Sequence, residues 1–179
     1  MEYTVIRSRR RTISIQLTPQ GEILVRCPAR MSIDDIDRFV QSKTDWIKTH
    51  LPKPSGLPVL SNEELRQLAA KAKAVLPQRA AYFARLVGVS YGHITIRAQH
   101  TRWGSCSSQG NLNFNCLLML VPPEVADYVV VHELCHRKEL NHSARFWAEV
   151  ERVLPDYKVH RKWLKDHSTS LIARLPNTK

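Results

Sequence analysis

Two histidines, His132 and His136, enclose Glu133 in the run Val129-Val130-Val131-His132-Glu133-Leu134-Cys135-His136. On a helix, positions four apart lie about 40° apart around the axis and one turn apart along it. Both imidazoles then face the same way and can close on one metal ion. Glu133 lies beside them, where it can take a proton from a metal-bound water. That is the arrangement of a zinc hydrolase. His142 follows six residues after His136, giving H-E-x-x-H-x5-H. It becomes the third ligand if the helix ends near Glu139–Asn141. Asn141 suits the left-handed conformation that ends helices, and Ser143 suits the cap of the next one. The competing reading is a surface helix with two solvated histidines. Val125, Val129, Val130 and Val131 make this helix too apolar for an exposed face.

Three protein ligands leave one position open for water and lower its pKa toward about 7. Glu133 would accept the proton and pass it to the leaving amine. A further donor should stabilise the oxyanion, and Arg102, Tyr157 and His160 are the candidates. Cys135 packs within the helix as a small apolar residue, since it cannot share the face of the two histidines. Two other functions compete with peptide hydrolysis. One is a metal-dependent hydrolase of nucleotide phosphoanhydrides, a pyrophosphatase, suggested by the positive charge; no phosphate-cradling Gly-rich loop accompanies it. The other is a nucleic-acid-binding module with a structural zinc. A closed structural site would recruit four Cys or His ligands, which this pattern lacks.

The elements that must position these residues follow from pattern. Strands are expected over Glu2–Ser8, Thr12–Thr18 and Glu22–Cys27, with a turn at Pro19-Gln20-Gly21. They read as a meander, with the triplet Arg9-Arg10-Arg11 as a turn or strand edge that is either a solvated loop or a phosphate contact. Ser32 caps a helix from Ile33 to about His50, whose buried stripe is Ile36, Phe39, Val40, Trp46 and Ile47. Pro52, Pro54, Gly56 and Pro58 mark a linker. A long helix starts at Ser61 or Asn62, is kinked or split at Pro77 and stops at Gly88. A strand follows at His93–Ala98. Gln109-Gly110 turns a hairpin into Asn111–Asn115, where Leu112 and Phe114 face one side and the asparagines the other. Such a strand reads as an edge that could hold an extended substrate by strand addition, with Asn113 and Asn115 as substrate contacts. Pro122-Pro123-Glu124 begins the His132 helix. Helices over Ala144–Leu154 and about Asp156–His167 follow, and Ser168–Lys179 reads as a fraying tail. The result is an α+β chain: a β-meander and helix over residues 1–50, a linker over 51–60, and a second domain over 61–179 with a small antiparallel sheet.

Composition limits the partners. With 179 residues, 43% hydrophobic and 24% charged, the chain is an ordinary globular protein. The start, Met1-Glu2-Tyr3-Thr4, has no signal-peptide pattern. No apolar run approaches about 18 residues, so no membrane span is expected. Cys27, Cys106, Cys116 and Cys135 form no C-x-x-C pair; reduced thiols in a cytoplasm are the simplest reading. Lys and Arg number 27 against 16 acids, a formal net charge of +11. Such a field can bind nucleic acid weakly, and it can recruit a protease to nucleic-acid-bound proteins. On oligomeric state the sequence is silent.

Thr101-Arg102-Trp103-Gly104-Ser105-Cys106, the Asn111–Asn115 strand, Val130-Val131-His132-Glu133-Leu134-Cys135-His136, Asn141-His142-Ser143 and Phe146-Trp147 together resemble the YgjP-like metallopeptidase family. In its metal region that family is similar to the SprT-like and WLM-type zinc proteases. The resemblance spans essentially the whole chain and is densest over residues 100–150. It implies a zincin-like catalytic domain acting on protein or peptide substrates with one Zn²⁺ per chain. Position by position, it makes His132, His136 and His142 the ligands and Glu133 the catalytic glutamate. The metzincin pattern H-E-x-x-H-x-x-G-x-x-H has Gly where this chain has Glu139, so the turn falls to Asn141. Glu149 on the next helix is the alternative third ligand.

Overall fold

The computed structural model describes residues 1–18, 21–51 and 56–176. The chain packs as two compact units, Met1–Leu57 and Pro58–Lys179. The first holds strands β1 (Thr4–Ser8), β2 (Ser14–Leu17) and β3 (Ile23–Pro28), then helices α1 (Ile33–Ser42) and α2 (Thr44–His50). Ile23, Val25 and Cys27 alternate inward on β3 and pack with Ile36, Val40 and Ile47. The expected meander is not formed. The strand order is β1-β3-β2, with β1 parallel and β2 antiparallel to β3. Alternation determines which face a strand buries and is blind to which strand lies beside it. The single expected helix is two, broken at Lys43, whose N–H turns back onto Val40 O. The break takes Trp46 off the buried stripe: it is 45% exposed and stacks on His50. Pro19 and Gln20 of the expected turn, and Pro52–Ser55 of the expected linker, lie outside the described residues.

The second unit contains helix α3 (Asn62–Val87), strands β4 (Ile94–Arg97), β5 (Gly104–Cys106) and β6 (Leu112–Asn115), a 3-10 helix over Cys116–Leu120, and helices α4 (Pro123–Cys135), α5 (Ala144–Val153) and α6 (Tyr157–Ile172). A capping box between Ser61 and Glu64 starts α3, and Gly88, at φ 79°, ends it by donating to Ala84 O. Pro77 lies inside without splitting it. The sheet is mixed rather than antiparallel: β6 is central, parallel to β4 and antiparallel to β5. The expected edge strand is therefore the middle one, and β5 forms an edge. Helix α4 is buried almost all round through Val125, Val129, Val130, Val131, Leu134 and Cys135, as an all-apolar helix must be.

The expected tail and part of the expected linker are structured. Helix α6 runs on to Ile172, and Leu171, Ala173 and Leu175 are buried. Leu60 packs with Leu117 and Leu175 and donates to Arg174 O at 2.7 Å, while Arg174 Nε donates to Pro58 O at 3.1 Å. Leu164 and Leu171, one face of α6, are both buried, so the helical face continues past His167. Asn177–Lys179 lie outside the described residues.

Candidate metal centre

The last turn of α4 presents His132 and Glu133, and His136 stands at its C-cap with φ −63° and ψ −13°. The helix thus ends earlier than Glu139–Asn141. Its exit is a tight turn: Arg137 N–H donates to Leu134 O, and the amides of Lys138 and Glu139 donate to Cys135 O. No described non-glycine residue has a positive φ, so Asn141 does not adopt the left-handed conformation expected of it. Ser143 then caps α5 by accepting from Phe146 N–H at 3.3 Å.

This path brings His132, His136 and His142 together, with one ligand-type nitrogen from each lying within 4.8 Å of the others. The Nε2 atoms of His132 and His142 are 2.9 Å apart. His136 Nδ1 is bonded to Glu139 O at 3.0 Å, leaving its Nε2 for a ligand. That is the outer contact a metal-binding histidine requires. His132 Nδ1 is buried and has no hydrogen-bond partner among the described residues; its other nitrogen points at the cluster. Burial and the neighbouring imidazoles push His132 down to about 3, so its ring is neutral, as metal ligation needs. The donor set fits a divalent metal ion favouring nitrogen ligands.

Aromatic packing fixes the three rings. The Phe146 ring lies 4.6 to 4.9 Å from each of them. Trp147 stacks on His142 at 5.7 Å and on Tyr157 at 5.4 Å, with the Arg161 guanidinium 4.4 Å from its centroid. Both residues come from α5, so the cap at Ser143 sets their position.

Glu133 is 6% exposed. Burial pushes its carboxyl up to about 8, against a smaller opposing pull from Arg102. Its carboxylate lies against Gly104 on β5: a Cβ there would stand 2.7 Å from both Cγ and Oε1. Gly104, Ser105 and Cys106 of β5, with the three histidines, Glu133 and Leu140, line an open cavity of about 270 Å³. β5, an edge strand, therefore borders the cluster.

The other sequence candidates divide. Arg102 is exposed and near enough to act on Glu133. Asn113 is half-buried, and its amide donates to Ser105 Oγ at 3.2 Å. Asn115 is not placed as expected. It is 1% exposed, its amide donates to Gln99 O and Arg102 O, and its carbonyl accepts from Leu117 N–H. It holds the 99–102 loop and has nothing left for a substrate. Tyr157 is buried in the aromatic stack, and His160 faces Asp156 at 3.1 Å. Glu149 is engaged by Lys138 and Arg152, each at 2.9 Å, and stands apart from the histidine cluster.

Sequence reasoning missed Gly104, whose contact with Glu133 is long-range. It also missed Arg137. That side chain donates to Ser90 O and Ser108 O, both at 3.1 Å, and lies flat against Gly110. It ties the β5–β6 hairpin to the residue after His136. The Gln109-Gly110 turn signalled the hairpin, but nothing in the sequence pointed to its partner.

A family model described as YgjP-like, metallopeptidase domain, matches residues 11–67 and 60–167. Two solved structures are similar over about half the chain. The metallopeptidase zymogen abylysin of Pyrococcus abyssi is 22% identical, with TM-score 0.48, the match covering 52% of this chain and 96% of that one. The metallopeptidase zymogen jannalysin of Methanocaldococcus jannaschii is 19% identical, with TM-score 0.45, covering 52% and 94%. No curated protein matches the sequence.

Proposed function

Because the chain belongs to the YgjP-like metallopeptidase family and is thus a metal-dependent peptidase, we propose that it hydrolyses peptide bonds at the His132–His136–His142 cluster, with Zn²⁺ as the metal and Glu133 as general base. The observation that carries this reading is the convergence of three imidazole nitrogens within 4.8 Å beside a buried carboxyl.

A bound divalent ion supplies a Lewis acid that polarises a carbonyl and acidifies water. The chain's own residues do the rest. His132, His136 and His142 hold the ion as neutral rings, kept in place by Phe146, Trp147 and the Glu139 carbonyl. Glu133 takes a proton from the attacking water and returns it to the leaving amine. A carboxyl raised by burial holds the proton it takes more firmly than a solvated one would, and hands it on to the leaving amine. Backbone groups on the free side of β5 align an extended peptide, a role that passes to β5 from the now central β6. Arg102, whose charge acts on Glu133, serves as the oxyanion donor.

Catalysis resides in the second unit, which holds every one of these residues. No described helix is long and apolar enough to cross a membrane. The free thiols of Cys27, Cys116 and Cys135, all buried, support a reducing compartment, and we place the enzyme in the cytoplasm.

The ligand assignment is tested by elemental analysis of His142→Ala beside Glu149→Ala. Loss of zinc from the first and its retention in the second is the expected pattern. The reverse would move the third ligand to α5.

A further inference from the structure

A second cavity adjoins the first. It measures about 210 Å³ and is lined by Trp103, Gly104, Tyr128, Val129, His132, Glu133 and Leu164. Three of these, Gly104, His132 and Glu133, also line the cavity over the histidine cluster, so the two meet at the general base. Beyond His132 and Glu133 its walls are apolar or aromatic. No Lys or Arg lines it, although the chain carries 27 of them. The Trp103 indole N–H is already bonded to Ser168 Oγ at 2.8 Å, which leaves the ring itself as wall. Tyr128 of α4 and Leu164 of α6 are both buried and hold the shape.

We propose that this cavity receives the side chain of the substrate residue next to the scissile bond, and that it selects a large apolar one, aromatic by preference. The proposal rests on the peptidase reading above for its occupant and on the cavity for its chemistry. An apolar cavity of about 150 Å³ suffices for a benzene ring, so this one is large enough for a phenylalanine side chain. Two aromatic walls favour a ring over an aliphatic chain of equal size. An acidic side chain would lose its water and find no Lys or Arg among the lining residues. Filling the cavity should raise kcat/KM by about 10- to 100-fold over alanine at that position.

The test uses the full chain and two readouts. In the first, ¹⁵N-labelled metal-free protein is titrated with N-acetyl-phenylalanine amide, N-acetyl-alanine amide and N-acetyl-aspartic acid amide, following the Trp103 indole resonance. A saturable shift with the phenylalanine probe alone is expected. Leu164→Phe, which fills the cavity, should abolish it. Val129→Leu provides a second filling variant if the first does not fold. In the second readout, zinc-loaded enzyme is given peptides differing only at the residue flanking the cleaved bond. Phenylalanine should exceed alanine by at least tenfold, and the ratio should fall toward one in the filled variants. Absence of the shift overturns the subsite whether or not peptides are cleaved, as does cleavage without preference. A shift with no cleavage of any peptide supports the cavity's selectivity and overturns the peptidase reading instead.

Discussion

Replacing Glu133 with glutamine lowers peptide hydrolysis by about 10³-fold while leaving the metal content unchanged. The magnitude follows from the contribution of positioned acid–base groups, about 10² to 10⁴. Glutamine keeps the shape that packs against Gly104, so the β5 wall and the histidine rings stay in place. It cannot accept a proton and carries no charge, while its size is unchanged. Because the three imidazoles are held by Phe146, Trp147 and the Glu139 carbonyl, none depends on Glu133 for its orientation. Elemental analysis and a peptide assay on the same preparation separate the two effects. Full activity in Glu133→Gln would remove Glu133 from the chemistry.

Gly104→Ala lowers kcat by about 10²-fold with little change in KM and none in metal content. The new methyl would sit 2.7 Å from Glu133 Cγ and Oε1 and 2.9 Å from Cδ, closer than packed atoms tolerate. The β5 backbone is held by its ladder with β6, and α4 is buried almost all round. The side chain of Glu133 is the part that can yield, so it swings away from its place beside the cluster. Misplacing a reacting group by about 1 Å costs about 10²-fold. Overpacking of this kind also costs about 1–3 kcal/mol of stability, which thermal unfolding would register separately. Wild-type kcat in Gly104→Ala would mean that the contact does not position the carboxylate.

The comparison of these two residues shows what sequence can and cannot convey. Glu133 is legible because its partners lie within four positions on one helix, where the period is fixed. So are the caps at Ser61, Gly88 and Ser143, which act over three or four residues. The grouping of His142 with the other two histidines is readable from spacing, although the turn that achieves it is not. It closes on Cys135 O rather than through Asn141. Gly104 acts across 29 residues of chain, and no local pattern carries that contact. Strand order fails for the same reason. In both sheets the last strand in sequence lies in the middle, a fact that alternation does not encode. Asn113 on the same face is only half-buried, but Asn115, at the end of the central strand, is covered by the loop at 99–102, which its amide braces. The expected tail at Ser168–Lys179 is instead anchored by Leu171 and Leu175, apolar residues too few and too widely spaced to mark a buried face by pattern alone.

The central claim is that this chain cleaves peptide bonds by metal chemistry at the histidine cluster. The most direct measurement is mass spectrometry of an unstructured protein substrate incubated with the zinc-loaded chain, with the chain stripped by chelator, and with the stripped chain given zinc again. Internal fragments from the first and third incubations, absent from the second, are the predicted result. Identical fragments in all three, or none in any, would contradict the account.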